Sequence, residues 1–184
     1  MIAKEIETLE RGGIILYPTD TVWGLGCDAT NASAVSKINT LKGRSENKHL
    51  LILADGVEML RNYVEQVPEK ALKLLSETSE PLTIIYSGAR NLPKELIGTE
   101  KTIGIRIPRF AWLQNLIKQF GKPIVSTSAN FSGEPSPRTF SEISEQLKRA
   151  VDYVSLQERE AAEKRHASKI VKIDKEGEIT VIRG

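Results

Sequence analysis

"IILYPTDTVWGLG" (residues 14–26) changes character half-way along. Its first four residues form a short apolar run, the pattern of a buried strand. Pro18 ends the run, and two threonines, an aspartate and two glycines follow. The stretch reads as a strand that delivers the chain to a sheet end, where α/β sheets present their ligands. Thr19 and Thr21 can donate and accept hydrogen bonds. Gly24 and Gly26 let the backbone turn tightly or approach a ligand. The pattern G-x-x-x-x-G-K-[ST] is absent, so this is not a phosphate-binding P-loop. An ordinary turn with a tight packing contact would use the same residues.

The same grammar recurs outward from this stretch. Short apolar runs stand at "LLIL" (50–53), "LTIIY" (82–86), "TIGIRIP" (102–108), "PIVST" (123–127), "KIVKI" (169–173) and "EITVIR" (178–183). Helical patterns lie between them. Residues 2–11 carry Ile2, Ile6 and Leu9 on one stripe, stopped by Gly12 and Gly13. Asn31 or Ser33 can cap a helix over 33–41, Asp55 one running to about Val64, and Pro68 opens another. Residues 112–120 form a helix ended by Gly121, and 139–150 one with Phe140, Ile143 and Leu147 on a single face. "DKEG" makes the last two strands a hairpin. Strands and helices mix without strict alternation, which predicts an α/β fold with a twisted mixed sheet and flanking helices. One domain is expected over 1–184.

With 184 residues and 40% hydrophobic content the chain can build its core without staples. Cys27 is the single cysteine, so no internal disulfide forms. No apolar stretch is long enough to span a membrane. The first residues, "MIAKEIETLERGG", are charged and helix-like, unlike a secretion signal. A cytoplasmic, soluble protein is expected. Twenty-six basic residues against 24 acidic give a net charge of +2, too balanced to mark a nucleic-acid protein.

Chemistry-bearing groups gather at the strand ends. "LKGRSENKH" (41–49) sets Lys42 and Arg44 two residues apart at a helix end. There Arg can fork onto phosphate oxygens and Lys can act as a point charge. The helix dipole would favour the same pair without any ligand. Arg106 shares a strand face with Thr102 and Gly104 and requires an anionic partner, either an internal acid or a substrate carboxylate. In "PIVSTSANFSGEPSP" (123–137) Ser126 and Ser128 share one face of an extended chain. None of these groups is a nucleophile with a partner base. The two histidines, His49 and His166, lack metal-ligand spacing, and no protein-bound metal is expected. The inventory suits positioning and charge neutralisation, as in phosphoryl or nucleotidyl transfer with Mg²⁺ carried by the nucleotide.

Taken in order, "YPTDTVWGLG", "KGR…LLIL", "PLTIIY", "TIGIRIP" and "PIVSTSANFSGEPSP" resemble the threonylcarbamoyl-AMP synthase family, the YrdC-type domain, in its short bacterial form. The resemblance runs from about residue 13 to the C-terminus. It implies a twisted sheet around an open basic cavity. It also implies condensation of L-threonine, bicarbonate and ATP to threonylcarbamoyl-AMP and pyrophosphate, feeding the threonylcarbamoyladenosine modification of tRNA. A separate tRNA threonylcarbamoyl transferase complex is the implied downstream partner. Carried over, the resemblance puts threonine near Thr19, Arg106, Ser126 and Ser168. It puts ATP near Lys42, Arg44, Thr102, Ser128, Asn130, Ser136 and Arg183, with Lys42 and Arg44 catalytic.

The chain also departs from the family pattern. Trp23 stands where Tyr is frequent and His49 where Pro is common. "ASKIVKI" replaces the usual P-S-T-(I/V)-V-D, keeping Ser168 but putting Ala167, Lys169 and Lys172 for Pro, Thr and Asp. Two extra cations near an ATP site would help binding or change the ligand. That departure leaves a second reading open: a paralogous module that binds nucleotide, or weakly RNA, without making the adenylate. A carbamoyl-adenylate-forming relative is the third, though such relatives are normally fused to partner domains.

Overall fold

The computed structural model describes residues 2–43, 50–159 and 166–184. The apolar runs become strands: β1 (Ile15–Tyr17), β2 (Gly24–Gly26), β3 (Leu51–Leu53), β4 (Leu82–Tyr86), β5 (Ile103–Arg106), β6 (Ile124–Ser128), β7 (Tyr153–Val154), β8 (Lys169–Ile173) and β9 (Ile179–Arg183). Among the described residues they form one sheet in the order β7-β1-β2-β6-β3-β5-β4-β8-β9. β3 runs parallel to β5 and β4 to β8, while β2, β6 and β9 pair antiparallel. The mixed sheet expected from the sequence is present.

The stretch that opened the reading needs a correction. "GLG" is not part of a strand-end loop but a central strand, antiparallel to β1 on one side and β6 on the other. Its glycines hid it, because Gly weakens a strand signal. Close packing explains Gly26: a Cβ there would lie 2.6 Å from Tyr17 Cε1 and 2.7 Å from the Val125 carbonyl oxygen.

Among the described residues six α-helices flank the sheet: α1 (Ala3–Glu10), α2 (Ala32–Lys42), α3 (Val57–Arg61), α4 (Glu69–Glu77), α5 (Ala111–Phe120) and α6 (Glu145–Ala150). α2 starts where Asn31 accepts a 3.1 Å bond from the Ala34 amide and stops at Gly43 in the left-handed region, φ 60°. α5 buries Leu113, Leu116, Ile117 and Phe120, a helical stripe, and stops at Gly121, φ 75°. Two expected helices are shorter. Asp55 caps nothing: α3 starts after Gly56, with no side-chain cap, and ends at Arg61. Residues 139–150 split into a 3₁₀ turn (Phe140–Glu142) and α6, because Ile143 turns extended at ψ 129° and Ser144 starts a new helix by accepting from the Leu147 amide. Pro68 precedes α4 as its N-cap.

The two faces of the sheet are buried differently. Leu16, Leu25, Ile52, Ile84, Ile105 and Val125 point to one face, into a core shared with α2, α3 and α4. Ile15, Tyr17, Leu53 and Ile124 point to the other, under α1 and α5. Each such fully buried Leu or Ile contributes roughly 1.5–3 kcal/mol. Further along this second face the alternation delivers mostly small or polar residues, with Leu51 and Ile170 as apolar exceptions. Gly24 lies opposite Ser128, Leu51 opposite Ser126, Thr83 opposite Arg106 and Ile170 opposite Arg183. No apolar stripe is offered for a helix to cover, and a cavity occupies the space. No helix among the described residues is long and apolar enough to cross a membrane.

Candidate functional site

That cavity has a volume of about 230 Å³. β6 and the chain beyond it supply Ser126, Thr127, Ser128 and Ser136; β5 supplies Arg106; the entry to β8 supplies Ala167 and Ser168; and β9 supplies Arg183. Thr21, Trp23 and Gly24 close the near wall. Six of the residues singled out in the sequence, from four separate stretches, thus meet in one place.

Arg106 anchors the buried end. Its guanidinium is 3% exposed, and Nη1 donates to Asp20 Oδ1 at 2.6 Å and to Thr21 Oγ1 at 2.9 Å. Burial lowers its pKa and the Asp20 charge opposes that fall. Of the two anionic partners the sequence left open for Arg106, the internal acid is the one present: Asp20 fills that role inside the protein. Nε stays buried with no hydrogen-bond partner among the described residues. Thr19 is also buried; its hydroxyl donates to the Val22 carbonyl at 2.8 Å. Each hydroxyl carries one proton, so Thr21 is the donor in its 2.8 Å contact with Thr19. A directed chain results, from Arg106 through Thr21 and Thr19 to the backbone. Thr19 stands behind the wall rather than on it: its methyl lies 3.4 Å from where a Cβ on Gly24 would sit. The neighbouring Tyr17 hydroxyl is raised in pKa, first by burial.

The other end rests on backbone carbonyls. Arg183 donates from Nε and Nη2 to the Ser168 carbonyl at 3.0 and 2.7 Å. The Ser168 hydroxyl meets Thr83 Oγ1 at 2.8 Å. Lys42 sits just behind Ser128: its buried ammonium donates to the Ser128 carbonyl, and its own carbonyl accepts from the Ser132 amide at 3.0 Å. Asn130 shapes the following turn, donating to the Phe131 and Glu134 carbonyls at 2.9 and 2.8 Å, while its Oδ1 is buried with no partner among the described residues.

Four expected residues among those described do not join the lining: Thr19, which stands behind the wall, Lys42, Asn130 and Thr102. Lys42 and Asn130 support the wall as described. Thr102 lies just before β5 and donates to the Thr99 carbonyl at 2.8 Å. At ~3.3 Å per residue it stands about 13 Å along the strand from Arg106, on the same face. Arg44 and His49 lie outside the described residues.

The sequence reading missed Asp20 as a site residue; its signal was an acid three residues after a buried strand, in a chain with one Arg inside an apolar strand. The extra cations are also relocated. Lys172 pairs with Glu100 at 3.1 Å, and neither it nor the exposed Lys169 lines the cavity; of the three departures only Ala167 does. Trp23 packs on Phe140 with ring centroids 4.9 Å apart. Cys27 is fully buried and its thiol is pushed up to about 12 by burial, which removes it as a nucleophile. Among the described residues no group of three or more His, Cys, Asp or Glu is arranged to hold a metal ion.

The Sua5/YciO/YrdC family model, described as "Telomere recombination", matches residues 7–184. The chain belongs to this family. It is 37% identical over 155 residues to the threonylcarbamoyl-AMP synthase of Pseudoalteromonas translucida, covering 83% of each chain. Its fold matches P. abyssi Sua5 complexed with L-threonine at a TM-score of 0.86 and 26% identity, over 99% of this chain. It spans only 53% of that longer protein. E. coli YciO matches at a TM-score of 0.85 and 25% identity, over 99% of this chain and 87% of that one. These likenesses support an enzyme of synthase type with nucleotidyltransferase-like chemistry.

Proposed function

We propose that this chain is an L-threonylcarbamoyladenylate synthase. The observation that carries the reading is the meeting of Arg106, Ser126, Ser128, Ser136, Ser168 and Arg183 in one cavity on a fold of this family. Support for the amino-acid ligand comes from the P. abyssi relative, which has been seen with L-threonine.

In this reading threonine lies at the buried end, near Arg106, Ser126 and Ser168, with Thr19 behind. Its amine attacks bicarbonate, giving the carbamate and water. A carbamate oxygen then attacks the α-phosphorus of ATP, the bond to the β-phosphate oxygen breaks, and pyrophosphate leaves. ATP spans Ser128, Ser136 and Arg183, with Lys42 bracing the Ser128 carbonyl from behind the wall, Arg44 assigned to the phosphates, Asn130 holding the turn beneath them and Thr102 further along the strand. Mg²⁺ arrives with the nucleotide. The protein's part is to align three ligands and offset their negative charge in a site whose donors are already oriented. The product passes to a tRNA threonylcarbamoyl transferase complex.

The test is pyrophosphate release from ATP by the purified protein, with and without L-threonine and bicarbonate. Release that needs both, with threonylcarbamoyl-AMP in the mass spectrum, is expected. ATP binding without release under any of these conditions would instead identify a nucleotide-binding module and overturn the reading.

A further inference from the structure

We infer that Asp20 is the positioning residue for Arg106, fixing the plane of its guanidinium toward the amino-acid end of the cavity. The inference rests on the functional reading above and adds a residue to it.

The carboxylate is pinned at both oxygens. Oδ1 takes Arg106 Nη1 at 2.6 Å, and Oδ2 takes the Arg109 backbone amide at 3.0 Å. Arg109 lies just past the end of β5, so Asp20 ties the turn between β1 and β2 to the strand that carries Arg106 and to the chain that follows it. Thr21 adds a second acceptor for the same Nη1 at 2.9 Å. Two acceptors on one nitrogen fix the guanidinium plane, not only its position. Thr21 is itself held by Thr19, and Thr19 by the Val22 carbonyl. Every member of the chain is therefore oriented by the next, the arrangement that locks a ligand-binding group.

The ion pair is shielded, with side chains 3% and 8% exposed. Solvent does little to screen it. Asp20 also offsets the Arg106 charge. The cavity then presents directed N–H groups rather than a bare cation, which suits a planar carboxylate meeting a fork. A purely structural Asp20 would hold the fold and nothing more; a positioning Asp20 governs one ligand and not the other.

The experiment is titration calorimetry of L-threonine and, separately, of a non-hydrolysable ATP analogue with the wild-type chain, Asp20→Asn and Asp20→Glu, alongside steady-state KM and kcat. Asp20→Asn keeps the shape and removes the charge. Asp20→Glu keeps the charge and displaces it by one methylene, so it reports on position even where the Asn variant fails to fold. Expected is a threonine Kd and KM at least tenfold higher, kcat changed less than KM, and analogue affinity within about threefold, a split of roughly 0.7 kcal/mol or more by the tenfold-per-1.4 kcal/mol relation. Unchanged or tighter threonine binding in the variants overturns the inference. So does an equal weakening of both ligands, which marks a structural role. A wild-type chain that binds no threonine overturns the functional reading and this inference with it; wild-type binding with unaffected variants overturns this inference alone.

Discussion

At the centre of the sheet Arg106 is gripped by a carboxylate and a hydroxyl, both buried, whereas at the sheet's edge Arg183 holds one backbone carbonyl from an exposed strand. Both guanidinium groups line the same cavity. The first cannot turn without breaking an ion pair shielded from water. The second can swing away at the cost of bonds that solvent replaces. A site built this way is preorganised at one end and adaptable at the other. That suits a small ligand of fixed shape beside a long, flexible one. The comparison can be broken by substitutions at either end.

The largest effect is expected at the centre. Arg106→Ala leaves Asp20 buried without its cation, which costs roughly 3–5 kcal/mol of stability. Urea unfolding should record that loss. Threonine-dependent pyrophosphate release should vanish while ATP binding persists at temperatures where the variant stays folded. A variant with unchanged threonine affinity would show that the preorganised end serves a different ligand.

Next comes the packing that keeps the centre rigid. A Cβ on Gly26 meets Tyr17 and the Val125 carbonyl at distances no relaxed structure tolerates. Gly26→Ala should therefore cost about 1–3 kcal/mol or more, read as a lower thermal midpoint. Two positions away, a Cβ on Gly24 meets nothing closer than 3.4 Å. Gly24→Ala should keep the fold and reduce the cavity between Thr19 and Ser126, weakening ligand binding instead. Equal thermal losses at the two positions would mean that the near wall is not open space for a ligand.

Lys42 belongs to the adaptable end through Ser128. Its ammonium holds the Ser128 carbonyl from behind the wall. Lys42→Ala should weaken ATP about tenfold, near 1.4 kcal/mol, and threonine less. The reverse ranking would exchange the two halves of the cavity. Competition binding with each ligand separates the cases.

The strands were legible in the sequence because their residues are unambiguous: "LTIIY" and "KIVKI" match β4 and β8 residue for residue. β2 was not, since Gly24 and Gly26 carry no strand signal and their reason lies in Tyr17 and Val125, which only the fold brings near. Helices failed where tertiary packing overrode periodicity. Phe140, Ile143 and Leu147 have helical spacing, yet Phe140 is drawn onto Trp23 and under Lys148 and Arg159, and the helix restarts after it. The site was legible as residue types at strand ends. Its wiring was not: whether Arg106 meets an internal acid or a ligand depends on Asp20 crossing 86 positions of sequence.

The smallest expected effect sharpens the comparison at the outer edge. Lys172 alters the family pattern two strands from Arg106, where an added cation beside ATP would be expected to change affinity. Its ammonium instead pairs with Glu100, with the two side chains 37% and 75% exposed. Exposed pairs of this kind contribute only about 0–1 kcal/mol. Lys172→Asp, which restores the residue type usual in the family, should leave ATP KM within about twofold and reduce stability slightly by setting two carboxylates side by side. A fivefold or larger change in ATP KM would place the adaptable end of the site further out than Arg183. The contrast between a locked centre and a loose edge would then extend across β8 rather than stopping at Ser168.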